Sequence, residues 1–144
     1  MSGTSVLNMT AVAVGGRALL LAGPPGSGKS TLALALIDRG AQLIGDDGVL
    51  LEGNGDHLIA QPPEGQTRGL LEVHGVGLVS FAVTAAPVAL ILESHDAPPR
   101  LPETVERRTL LDIAIPVVPF DYRAPSAVLR AELALRHHGL PLSP

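Results

Sequence analysis

The sequence predicts an α/β domain with a mostly β central sheet. Two observations carry this. A Gly-rich octapeptide, Gly23 to Ser30, stands between a short apolar run and a segment of helical composition. The other apolar segments are mostly short, β-branched or glycine-interrupted runs of strand length, and a second helical pattern occurs only near the end of the chain. A length of 144 residues with 46% hydrophobic content suits one domain spanning 1–144.

The elements follow in order. Val6 to Val14 is rich in small and β-branched residues and reads as a strand. Gly15-Gly16 is a hairpin-type turn signal, and Arg17 to Ala22 (RALLLA) suits a buried strand. Lys29 to Asp38 has helical composition, with Leu32, Leu36 and Ile37 able to share a face and Gly40 placed to end it. Gln42 to Ile44 leads, as a second core strand, to Asp46-Asp47. Val49 to Glu52 and His57 to Gln61 flank Gly53-Asn54-Gly55-Asp56, a hairpin signal. Pro62 to Thr67 is a polar loop, and Arg68 to Phe81 shows apolar alternation broken by glycines. Val88 to Leu92 is another short buried strand, and Ser94 to Pro102 is a Pro-rich loop. Thr109 to Val118 is strand-like, with Pro116 and Pro119 placing it near an edge or end. Pro125 to His138 reads as a closing helix, with Pro125 in its first turn, a Glu132–Arg136 pair along its face and Gly139 after its end.

Composition excludes several functions. The formal charge is −4, with no basic cluster, which disfavours a duplex DNA binder. Aromatics make up 2% of the chain, too few for a platform that stacks single-stranded bases. Without cysteine there is no disulfide, thiolate metal site or thiol nucleophile, in keeping with a cytoplasmic protein. No basic n-region with a long apolar stretch opens the chain, and no apolar run is long enough to span a bilayer. The expectation is a soluble protein with neither nucleic acid nor membrane as partner.

The chemistry is carried by Gly23-Pro24-Pro25-Gly26-Ser27-Gly28-Lys29-Ser30, which satisfies G-x-x-x-x-G-K-[ST] in full. Glycines let backbone N–H groups converge on phosphate oxygens, and the helix that follows turns its positive dipole end toward the same anion. In such a loop Lys29 reaches the β- and γ-phosphates and the Ser30 hydroxyl ligates Mg²⁺. Lys29 is the only lysine among ten basic residues. Asp46-Asp47 follows the next core strand, where one carboxylate can hold Mg²⁺ and another can accept a proton from an attacking hydroxyl. Glu72, flanked by Leu70, Leu71 and Val73, reads on its own as the outward residue of a strand. His57, His95, His137, His138 and Arg107-Arg108 read as solvated side chains.

Two blocks together resemble the catalytic domain of HPr kinase/phosphorylase, in its short alphaproteobacterial form. Gly23 to Gly48 (GPPGSGKSTLALALIDRGAQLIGDDG) has the phosphate loop, the Leu-Ile-x-Arg-Gly-like helix end and the paired aspartates. Arg68 to Val79 (RGLLEVHGVGLV) is similar to the family signature Leu-Glu-(Ile/Val)-Arg-Gly-x-Gly. The resemblance implies a P-loop α/β fold similar to phosphoenolpyruvate carboxykinase. It implies phosphorylation of a serine on an HPr-like phosphocarrier protein with ATP or pyrophosphate and Mg²⁺, and the reverse activity, phosphorolysis of the phosphoserine by inorganic phosphate. It further implies a homo-oligomer, a hexamer in the family, and no N-terminal regulatory domain.

Carried onto matching positions, Gly23, Pro24, Pro25, Gly26, Ser27, Gly28, Lys29, Ser30 and Thr31 bind nucleotide. Ser30, Glu72 and Asp47 serve the metal. Asp46 is the general base of the kinase direction and the acid of phosphorolysis, and Arg100 contacts phosphate. Two departures stand out. Asn8 takes the place of a family histidine and cannot relay a proton. His74 replaces the signature arginine, so a permanent cation becomes a conditional one. These departures support an alternative, a nucleotide-binding regulatory module with weak or no transfer. A GTPase is disfavoured by the lack of an Asn-Lys-x-Asp motif, and a small-molecule kinase by the lack of an Arg-rich lid.

Overall fold

The computed structural model describes residues 3–101 and 104–142. Eleven strands and two helices follow in the order β1 (Gly3–Leu7), β2 (Met9–Val14), β3 (Arg17–Ala22), α1 (Lys29–Asp38), β4 (Gln42–Gly45), β5 (Gly48–Asn54), β6 (His57–Gln61), β7 (Leu70–Val73), β8 (Gly77–Ser80), β9 (Ala86–Ser94), β10 (Glu106–Leu110), β11 (Ile113–Phe120) and α2 (Ala127–His138). The main sheet runs β1-β5-β6-β9-β3-β2-β4, and β11 joins it on β9 and carries β10. The expected mixed α/β fold with a mostly β sheet is therefore present.

β9 is the hub. Its start pairs antiparallel with β6 at Ala86 and Pro87, its middle pairs parallel with β3 from Val88 to Glu93, and its end pairs parallel with β11 from Ile91 to Ser94. The period of two along β3 separates two cores. Leu19 and Leu21 pack with Leu90 and Leu92 under α1 and α2, meeting Leu32, Leu36, Ala131 and Leu135. Ala18 and Leu20 face the other way, toward Val49 and Leu51 of β5 and Leu58 and Ala60 of β6.

Three strand expectations change. The run Val6 to Val14 is two strands, because Asn8 adopts φ 63 between them. Asn is one of the few non-glycine residues that tolerate this left-handed region. Arg68 to Phe81 folds as the hairpin β7–β8, a separate two-stranded sheet held down by fully buried Leu71, whose burial contributes about 2 kcal/mol. Thr109 to Val118 contains a hairpin turn at Leu111-Asp112, both with positive φ, that separates β10 from β11. Pro116 pairs with Arg107 of β10, while the pairing with β9 begins only at Val117, so the proline sits where one side of β11 has no β9 ladder to complete.

The closing helix starts at Ala127 after Ser126, two residues beyond Pro125. Glu132 does not pair with Arg136. It accepts from Arg39 Nε at 2.9 Å, joining α2 to the end of α1. Pro102, the end of the expected Pro-rich loop, lies outside the described residues.

The turn from β4 to β5 is unusually close. A Cβ on Gly45 would lie 2.2 Å from the Gly48 carbonyl oxygen. Gly45→Ala is expected to lower stability by roughly 3 kcal/mol, the upper range for overpacking against rigid backbone. Urea melting checks this, and a change within experimental error would mean that the turn can relax.

Candidate active site

The carboxyl ends of the parallel strands β3, β9 and β11 lie at one end of the sheet, where open α/β sheets place their ligands. The loop 23–28 leaves β3 at this end and enters α1. Gly23, Gly26 and Gly28 have φ of 151°, 81° and 106°, conformations that L side chains rarely adopt. Ser27 N–H donates to Pro24 O at 3.2 Å, which closes the loop's outer turn. The Ser27 hydroxyl is buried without a hydrogen-bond partner among the described residues.

Two chain crossings meet beside this loop. β1 passes to β2 through Asn8, and β4 passes to β5 through Asp46-Asp47. Asn8 and Asp47 are both left-handed, with φ 63 and 54, and Asn8 N–H donates to Asp47 O at 3.2 Å. The Asn8 carbonyl then accepts from Lys29 Nζ at 2.5 Å, and Gly23 O accepts from the same nitrogen at 2.7 Å. Lys29 is 4% exposed, and its Nζ lies 3.5 Å from Asp47 Oδ1. The backbone of Asn8 thus positions the lysine, while its side chain faces solvent.

The two aspartates have different surroundings. Asp46 Oδ1 accepts from Ser30 Oγ at 2.7 Å and Thr10 Oγ1 at 2.9 Å, and its Oδ2 accepts from Glu72 N–H at 3.2 Å. Thr10, fully buried, also accepts from Asp47 N–H at 3.3 Å. Asp47 is more than half exposed and lines the cleft.

That cleft, about 730 Å³, is lined by Pro25, Gly26, Gly28, Lys29, Ser30 and Thr31 on one side and by Asp47, Glu72 and His74 on another. Tyr122, Arg123 and Ala124 close the third side. Gly23, Pro24 and Ser27 belong to the same loop but are not among the residues lining the cleft. Arg100 is exposed in the loop after β9 and is not among the residues lining the cleft. A second cavity, about 150 Å³ and bordered by Arg17 at the opposite end of β3, is too small for a nucleotide.

The donors fit Mg²⁺. Ser30, Asp46, Asp47 and Glu72 offer hard oxygens, and among the described residues no group of three or more His, Cys, Asp or Glu forms an all-protein metal cage. Mg²⁺ is commonly held this way, by one or two carboxylates together with substrate phosphates.

Tyr122 and Arg123 were not singled out by sequence, since their role depends on an approach across about one hundred positions. The Tyr122 hydroxyl lies 2.6 Å from Ala22 O, at the foot of the loop, and 2.7 Å from Leu92 O. Burial pushes its pKa far above the usual tyrosine range, and the negative charge of Glu93 adds to the rise. Above about pH 10 the unfolded chain releases this proton and the folded protein retains it, so stability falls as pH rises. The expected slope is about 1.4 kcal/mol per pH unit above pH 10. Tyr122→Phe should remove that component and cost about 1–3 kcal/mol at neutral pH, because the one O–H shared by the Ala22 and Leu92 carbonyls is lost. Urea melts of both proteins between pH 7 and 11 test this; parallel pH profiles would refute it.

Comparisons with known proteins agree with the geometry. A family model described as HPr Serine kinase C-terminal domain matches residues 1–85. The HPr kinase/phosphorylase of Mycoplasmopsis pulmonis (strain UAB CTIP) is 40% identical over 72 residues, or 50% of this chain and 23% of that protein. The chain therefore spans under a quarter of that relative's length. The structure of the Hpr(Ser) kinase/phosphatase from Coxiella burnetii is similar in fold, with a TM-score of 0.80, 24% identity, and coverage of 94% of this chain and 95% of that one. Among the described residues no helix is long and apolar enough to cross a membrane. With more than half of its length inside the family match, the chain belongs to the HPr serine kinase C-terminal domain family.

Proposed function

We propose that this protein is an ATP-dependent protein-serine kinase that phosphorylates an HPr-like phosphocarrier protein and also removes the group by phosphorolysis, in which inorganic phosphate takes the phosphoryl group from the phosphoserine, pyrophosphate leaves and the serine hydroxyl is restored. One observation carries the reading. A solvent-facing carboxylate, Asp47, stands 3.5 Å from the ammonium of Lys29 at the mouth of a phosphate loop, backed by the Ser30–Asp46 hydrogen bond. The names of the related proteins support the same substrate class.

In the forward direction the acceptor serine gives its proton to a carboxylate, and its oxygen forms a bond to the γ-phosphorus. The bond from that phosphorus to the β-bridging oxygen breaks, and ADP leaves. Lys29 and the N–H groups at the start of α1 balance charge on the transferred group. The resemblance favours Asp46 as base. The geometry favours Asp47, because Asp46 already accepts three hydrogen bonds and Asp47 faces the cleft. We assign the base to Asp47 and the metal side to Ser30, Asp46 and Glu72. Ser30, Asp46 and Glu72 would hold Mg²⁺, which would supply positive charge to offset that on the transferred phosphoryl group.

The reading carries a cytoplasmic location and, from the family resemblance, a homo-oligomer that sedimentation would measure. A regulatory nucleotide-binding module is the second reading, favoured by Asn8, whose exposed side chain cannot relay a proton. Incubation with Mg-ATP and an HPr-like protein separates the two. Mass gain of one phosphate on a serine is expected; nucleotide binding with no transfer would leave the regulatory reading standing.

A further inference from the structure

The β11–α2 connection touches the phosphate loop at its foot, its apex and its exit. Tyr122 bonds Ala22 O at the foot. The Arg123 guanidinium donates from Nη2 to Gly26 O at the apex. At the exit, a Cβ on Gly28 would lie 3.3 Å from Tyr122 Cβ and 3.5 Å from Arg123 Cγ. Asp121 fixes the start of this strap, its Oδ1 accepting from Arg123 N–H at 3.0 Å.

The middle contact bears on phosphate binding. A loop that cradles an anion must turn N–H groups inward and carbonyls outward. Gly26 is exposed at φ 81, and glycine crosses between left- and right-handed conformations at little steric cost. The peptide joining Gly26 to Ser27 therefore has a cheap alternative orientation, in which its carbonyl dipole opposes phosphate. A cationic donor on Gly26 O selects the orientation in which Ser27 N–H closes its turn onto Pro24 O.

We propose that Arg123 is a positioning residue: it holds the Gly26 carbonyl outward and so keeps the loop ready for phosphate. This rests on the reading of Gly23 to Ser30 as a phosphate site. The mechanism is a population effect, since apparent affinity falls by the fraction of loops in the competent orientation. All ligands that use the loop should therefore lose affinity equally.

The test measures binding of inorganic pyrophosphate, ADP and ATP by calorimetry on the full chain, as parent, Arg123→Ala, Arg123→Lys and Lys29→Ala. Arg123→Ala should weaken all three ligands by the same factor, roughly tenfold. Arg123→Lys, which keeps a cationic donor on a long stem, should recover most of the loss. Amide exchange at Ser27 should accelerate in Arg123→Ala without any ligand and slow again in Arg123→Lys. Binding within twofold of the parent in Arg123→Ala, with binding lost in Lys29→Ala, overturns the positioning role alone. A loss that grows from ADP to ATP and fades with salt also overturns it, because it marks a direct charge contact. Parent-like binding in Lys29→Ala overturns the phosphate-site reading and the Arg123 proposal with it.

Discussion

Lys29→Ala is expected to abolish phosphate binding and phosphoryl transfer together. The ammonium sits where three structures converge: the first residue of the loop through Gly23 O, the β1–β2 crossing through Asn8 O, and the acid pair through Asp47. It is 4% exposed, so its charge acts in a site shielded from water, where electrostatic interactions are strong. Removing one preorganised donor from a site of developing charge costs about 10²–10³ in rate. The variant also leaves two carbonyls without their donor, a stability loss of about 1–3 kcal/mol. Lys29→Met, which keeps the stem, should be nearly as inactive and more stable. Calorimetry with ADP, a transfer assay read by mass and a urea melt separate the two effects. Transfer above a tenth of the parent rate in either variant would remove Lys29 from the phosphate chemistry.

The second large effect separates the two aspartates. Asp47→Asn should keep nucleotide binding and lower transfer by about 10²–10⁴, the usual contribution of a general base. Added Mg²⁺ should not restore it. Asp46→Asn acts differently. Its carboxylate holds the hydroxyls of Ser30 and Thr10 and the N–H of Glu72, so an amide there presents N–H groups to existing donors. The Mg²⁺ needed for half-maximal rate should rise about 10–100-fold, as for loss of a residue that orients a metal ligand, and excess Mg²⁺ should recover part of the rate. If the Mg²⁺ rescue appears in Asp47→Asn instead, the base is Asp46, as the family resemblance first implied.

The parts legible in sequence were those with local causes. β3 and α1 match their expected bounds because an apolar run, a glycine loop and a helix former follow one another. The hairpin around Gly53 to Asp56 also follows from its turn chemistry. The break at Asn8 was hidden because apolar residues flank it on both sides, and only its left-handed backbone interrupts the strand. The turn at Leu111-Asp112 had still less signal, since leucine at φ 48 contradicts ordinary preference. The loop residues and both aspartates lie side by side, with Ser30 bonded to Asp46 and Lys29 near Asp47, whereas Arg123 entered the cleft unannounced. Its partner, Gly26, is 97 positions away, and no periodicity reports such a contact.

The three-way pairing of β9 bears on how the protein must be made. β3, which launches the phosphate loop, finds β2 at once through a tight antiparallel turn, yet its other edge waits for Val88 to Glu93. During synthesis the cradle's own strand is therefore half-paired until more than sixty further residues have left the ribosome. Such long-range parallel closure is intrinsically slow and leaves an edge open to wrong partners. The family match ends at residue 85, one position before β9 begins. A fragment cut there would keep the loop, the lysine and both acids, but β3 and β6 would each lack their β9 neighbour. The motif-bearing half of this chain is consequently expected to need β9 in order to fold.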